Sequence, residues 1–223
     1  GLVHFVGSFV AMNAVFLPMF LLSLPASVGL ILLARPIVSM LFERGEFTAS
    51  IAEMTAWALV WYAAGLVGHS IMEVLTRAFY AQQDTQTPVI IGVIAMGLNV
   101  VFSIWFSKLF AQIGWYPLGG LALASSLATA LEAVALFIFM RKRLNGIEGK
   151  SIASGFLQAS GGALTMTAIL LLWLRLITVI PPWILVLGGI IAGGLIYSLV
   201  LIILRVPEIR ILLRTVQHRI QHK

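Results

Sequence analysis

His69, Glu73 and Arg77 recur at four-residue intervals inside a long apolar stretch. On a helix this spacing puts an imidazole, a carboxylate and a guanidinium on one face. Glu before Arg is the favourable order, worth about 0.3–0.5 kcal/mol in water. Among hydrocarbon chains such a stripe must turn toward protein or a wet cavity. Two uses are open: a structural pair that fixes the helix, or a cavity wall that meets a polar headgroup. A second polar set lies farther along. Asn99 and Ser103 stand one turn apart, and Ser125, Thr129 and Glu132 share another helical face. Glu132 falls near the middle of its apolar run, where a lone carboxylate costs about 2.5–3.5 kcal/mol. It must be paired, hydrated or protonated. If the two faces meet, their oxygens form a pocket for a coupling ion, sodium or a proton. Otherwise Glu132 is a neutral acid held between helices, and Asn99 and Ser103 serve an ordinary hydrogen bond to a neighbouring helix, typically about 0.6 kcal/mol. No carboxylate pair, nucleophile–base set or metal-ligand spacing stands out. The residues therefore predict no catalytic group, no metal centre and no cofactor other than that ion.

The elements that hold these residues must be membrane helices. Of 223 residues, 61% are apolar and 10% charged, and the mean hydropathy is +1.05. A soluble core of this size needs far less apolar surface. The formal charge of +6 is not gathered on a soluble face, so it predicts no nucleic-acid partner; the charges sit at helix ends and read as topology signals. Without cysteine, disulfides and thiolate metal sites are excluded. Gly1 is not an initiator, and no charged leader with a cleavage site follows, so a piece of a longer chain is expected.

Hydropathy, proline and turn signals predict an all-α polytopic membrane bundle of about six spans, at 16–42, 50–82, 87–110, 118–140, 152–176 and 183–204. Residues 1–15 form an apolar lead-in to which no role is assigned. A helix through 3–42 would be about 60 Å long against roughly 30 Å of hydrocarbon. Either its first part lies outside the core or Pro18, Pro25 and Pro36 bend it. Ser50 is the expected cap of the second span. Asn145-Gly146 marks a turn. Gly155, Ala159 and Ala163 in the fifth span, and Gly189 and Gly193 in the sixth, offer small faces for close helix contact. Pro181-Pro182 separates these two spans, and Trp183 suits a membrane interface. Residues 205–223 alternate basic and apolar side chains as a basic amphipathic tail on a headgroup surface.

Counting basic residues orients the bundle. Arg77, Arg141, Lys142, Arg143, Lys150, Arg205, Arg210, Arg214, Arg219 and Lys223 fall on one side, ten in all, against four on the other, Arg35, Arg44, Lys108 and Arg175. The richer side is expected to be cytoplasmic, together with the C-terminus.

The polar corner between the second and third spans is the most motif-like stretch. Arg-Ala-Phe-Tyr-Ala at 77–81 is followed by Gln-Asp-Thr-x-Thr-Pro-Val at 83–89. Pro88 suits the first turn of a helix, and Asp84 or Thr85 can cap it. This corner resembles a turn in the MurJ family of lipid II flippases. The first span, with Leu-Pro-Ala-Ser-Val-Gly-Leu at 24–30 and Phe-x-Arg-Gly-x-Phe at 42–47, is similar to a span of that family as well. The likeness is good over 16–143 and compositional from 150 onward.

The resemblance implies a fourteen-span transporter with two six-helix lobes around a cavity, followed by two extra helices. Residues 16–143 would then be the last four helices of the second lobe, and 144–204 the extra pair that borders a groove for a polyprenyl tail. It implies the transfer of lipid II, or a related polyprenyl-linked substrate, across a bacterial inner membrane by alternating access. The key cavity arginines of the family lie mostly in its first lobe and early second lobe, so none is carried over; His69, Glu73 and Arg77 are wall candidates for the polar route by their own spacing. The family pattern has an amide at the place of Glu132, so that residue departs from it. Rival expectations are an exporter of polysaccharide-lipids or drugs from the same superfamily and a membrane-embedded enzyme on lipid-linked sugars. The enzyme would need acid and base groups gathered at one membrane face, whereas Glu132 and His69 are deep and dispersed.

Overall fold

The computed structural model describes residues 2–43, 48–143, 149–176 and 181–203, and every regular element among them is helical. The described residues form seven helices: α1 (Leu2–Phe42), α2 (Ala49–Ala64), α3 (Leu66–Ala81), α4 (Gln86–Gln112), α5 (Pro117–Arg143), α6 (Gly149–Leu176) and α7 (Pro182–Ile203). Among the described residues five are long and apolar enough to cross a membrane, and α2 with α3, bent by 45° at their junction, pass the same test together and would make six as one broken span. This is a multi-pass membrane protein. The lead-in joins the first span without a break, since α1 is a single helix of 41 residues with all three prolines inside it. The turn at Asn145-Gly146 and the tail 205–223 lie outside the described residues.

The second span differs from expectation because it breaks at Gly65. The Gly65 amide donates to Tyr62 O at 3.1 Å, three residues back instead of four. Nothing nearby resembles a proline breaker; the cause is across the interface. A Cβ on Gly65 would lie 2.9 Å from the Ser126 Cα of α5, so only glycine permits that approach. In hydrocarbon a released carbonyl must find another donor. Ser126 Oγ donates to Trp61 O at 2.8 Å, and buried Ser27 Oγ of α1 donates to Ala63 O at 2.6 Å. The cap expectation also shifts. Thr48 holds the N-cap position without a side-chain bond, and α2 begins at Ala49, so Ser50 lies within the first turn.

The helices stack in order. α4 packs mainly on α5; α5 packs on α2 and α3; these pack on α1; and α6 and α7 cover the far side of α1. Glycine sets the close approaches, as expected for α7. A Cβ at Gly189 would be 3.3 Å from Leu33 of α1, and one at Gly193 would be 3.2 Å from Met166 of α6. Leu33, Leu75, Phe79, Leu136, Met140 and Leu170 are the largest fully buried side chains. By contrast α4 turns Val93, Met96, Val101 and Trp105 outward, each at least 60% exposed.

Candidate functional site

Along α3 the polar stripe divides. Arg77 grips Glu73 through Nη2 at 2.7 Å and Nε at 3.1 Å, both onto Oε1. The two side chains are 76% and 58% exposed, far more than a buried structural pair would be. His69, two turns from Arg77, belongs to another neighbourhood. Its Nδ1 lies 3.2 Å from Gly65 O, and its Nε2 lies 3.4 Å from Thr129 Oγ1 of α5. The same Gly65 carbonyl also accepts the His69 amide at 3.0 Å.

Thr129 also faces a cavity of about 250 Å³ between α4 and α5. Gly92, Ala95, Met96 and Asn99 line it from α4, and Ala128, Thr129 and Glu132 from α5. A Cβ on Gly92 would stand 3.2 Å from Glu132 Oε1, so the glycine leaves the carboxylate its space. Asn99, Thr129 and Glu132 are therefore the polar lining. Ser103 reaches the cavity only through Asn99, donating to its Oδ1 at 3.2 Å, and Ser125 is not among the lining residues. A space of this size holds several waters at about 30 Å³ each, which suits a hydrated or protonated mid-span carboxyl.

The corner after α3 is built around Asp84. Its Oδ1 accepts the Thr87 amide at 3.0 Å, and its Oδ2 accepts the Thr87 hydroxyl at 2.7 Å. Asp84 therefore supplies the helix-capping bond, while Thr85 occupies the N-cap position without one. The chain turns through Gln83 at φ 61°. Arg143, at the end of α5, donates to Asp84 Oδ2 at 2.6 Å and lies over the Phe79 ring at 6.0 Å. The Thr87 amide and hydroxyl, with Arg143 behind them, hold the Asp84 carboxyl down at about 2. Sequence reading found the cap but missed Arg143, which is 59 residues away. It also missed Ser27 and Ser126, whose only signal is a small hydroxyl in an apolar run.

A family model described as "Lipid II flippase MurJ" matches residues 11–210. The probable lipid II flippase MurJ of Vibrio cholerae is 38% identical over 116 residues, which cover 52% of this chain and 21% of that protein. The lipid II flippase MurJ of Burkholderia cenocepacia is 33% identical over 151 residues, or 68% of this chain and 28% of that protein. A solved structure of lipid II flippase MurJ, in an inward closed conformation, is similar with TM-score 0.72 at 26% identity, over 86% of this chain and 38% of its own. The chain spans 21% and 28% of the length of the two named relatives.

Proposed function

The chain belongs to the MurJ family of lipid II flippases, and we propose that it forms the C-terminal part of such a flippase, working by alternating access in a bacterial inner membrane. The observation that carries this reading is the family match over residues 11–210 together with the shared helical arrangement. On this reading α1 to α5 are the last four spans of the second lobe, and α6 and α7 are the extra pair beside the polyprenyl tail. The substrate is lipid II or a related polyprenyl-linked precursor, with membrane lipids as the other contacts. The C-terminus is cytoplasmic, as the ten-to-four distribution of basic residues supports. The protein moves its substrate without chemical change and is not an enzyme.

A sugar–pyrophosphate head needs a wet route while its tail stays in lipid. The exposed Glu73–Arg77 pair is a wall element for that route, since two charged groups at this exposure cannot face hydrocarbon. The Glu132 cavity is the coupling site, and a proton is the coupling ion. Among the described residues its lining offers side-chain oxygens from Asn99, Thr129 and Glu132. The Asn99 oxygen already accepts from Ser103. That is a sparse shell for a bare cation and a sufficient one for a carboxyl proton.

The test is reconstitution. A full-length protein carrying this sequence should move labelled lipid II between leaflets faster when a proton gradient is imposed. The chain alone should stay at background, because alternating access needs two bundles that rock against each other. Full-length protein that transfers no more lipid II than protein-free vesicles would refute the proposal.

A further inference from the structure

Resting on the proton-pocket reading above, we infer that His69 exchanges protons with Glu132 through the Thr129 hydroxyl, linking the α4–α5 cavity to the polar face of α3. The hydrogen-bond directions follow from the partners. Gly65 O can only accept, so His69 Nδ1 at 3.2 Å carries the hydrogen between them. In a neutral imidazole Nε2 is then bare. At 3.4 Å from Thr129 Oγ1, it is the acceptor of the threonine O–H. The lone pairs of that hydroxyl remain free to accept from the cavity, where Thr129 and Glu132 are both lining residues.

This geometry balances as a transfer. A protonated Glu132 carboxyl gives its proton, through a water in the cavity that both residues line, to Thr129 Oγ1. The hydroxyl passes its own proton to His69 Nε2. Glu132 becomes carboxylate, His69 becomes imidazolium, and Thr129 is unchanged; the reverse step restores both.

The surroundings support His69 as the acceptor. On its own helix Glu73 is already held by Arg77. From α5 the titratable group on the Thr129 side is Glu132, while Arg141, Lys142 and Arg143 lie in its last turn. α1 brings Arg35, which is bound to Ala49 O near the far end of its span. α2 brings Glu53, exposed in its first turns, and α4 brings Lys108, exposed and nine residues beyond Asn99. Glu132 is thus the partner His69 faces through a hydroxyl, and His69 stands one turn from the Glu73–Arg77 pair. A proton arriving at His69 places positive charge at the edge of the substrate route.

The experiment compares pH–rate profiles of lipid II transfer for the full-length protein in vesicles, using wild type, Glu132→Gln, His69→Gln, Thr129→Val and Thr129→Ser. Glutamine keeps hydrogen bonding at 69 but cannot carry a proton, and serine restores the hydroxyl that valine lacks. His69→Gln and Thr129→Val should each lose at least tenfold of the pH-dependent rate with lipid II affinity unchanged, and Thr129→Ser should recover it. If Glu132→Gln flattens the profile while His69→Gln and Thr129→Val keep the wild-type one, the relay is overturned and the pocket stands. A wild-type profile in Glu132→Gln overturns both. Should His69→Gln fail to fold, the Thr129→Val and Thr129→Ser pair decides alone.

Discussion

Replacing Gly65 with alanine tests the account of the broken span directly. In a regular helix the change would be favourable, since alanine exceeds glycine in helix propensity by about 0.8–1.0 kcal/mol. Here the new Cβ would lie 2.9 Å from a backbone atom, Ser126 Cα, which no side-chain rotation relieves. Overpacking of this kind costs about 1–3 kcal/mol. Separation of α2 from α5 would also stretch the Ser126–Trp61 hydrogen bond. A bond of this type in a membrane averages about 0.6 kcal/mol and reaches about 1.7. The net expectation is a destabilisation of about 1–3 kcal/mol, read as a shift in the unfolding midpoint of the full-length protein in mixed micelles. Ser126→Ala alone should lose only the hydrogen-bond part, about 0.6–1.7 kcal/mol. Adding Ser126→Gly to Gly65→Ala removes the serine side chain and should recover part of the loss, so the cycle should be non-additive. Equal or greater stability in Gly65→Ala would show that α5 does not impose the break.

Three further outcomes are expected. The Asp84 carboxyl sits at about 2, below its ordinary 3.8; a depressed acid stabilises the fold above its unfolded value and loses that contribution as pH falls through its folded value. The melting-point gap between wild type and Asp84→Asn should therefore be full above about pH 4 and close toward pH 2, and a gap that ignores pH would disprove the clasp. Single cysteines at Asn145 and Gly45 should react with an impermeant label from opposite sides of the membrane, and labelling of both from outside would invert or break the topology. In the full-length protein Arg77→Ala should cut lipid II transfer at least tenfold while Arg77→Lys, keeping charge without the planar fork, retains part; an unimpaired alanine variant would leave the pair a structural role only.

The six spans were legible because crossing hydrocarbon demands a long apolar run, a property each stretch carries by itself. The cap at Asp84 was legible for the same reason, with donor and acceptor three residues apart. What stayed hidden depends on partners far along the chain. Gly65 looks like any glycine in a membrane helix until Ser126 is placed against it. His69 reads as the third member of a stripe with Glu73 and Arg77 by spacing alone. Its attachment to Thr129 spans 60 residues, beyond the reach of any local signal. Ser103 and Ser125 were placed beside Glu132 by helical periodicity. That period gives a face but not how far the neighbouring helix covers it.

The stacking order gives α1 a role as a partition. α6 and α7 make their principal contacts with α1 and with each other, whereas the Glu132 cavity lies between α4 and α5, beyond α1 on the other side. Neighbouring residues of α1 belong to different compartments: Leu33 meets Gly189 of α7, while Ala34 and Val38 pack with Ala52 and Ala56 of α2. Among the described residues α1 is thus the helix that both sides share, so a movement of α6 and α7 reaches the α4–α5 cavity most directly through α1. On the proposed function, crosstalk between the two sides should weaken with lesions on α1 that leave the cavity and the α6–α7 pair intact.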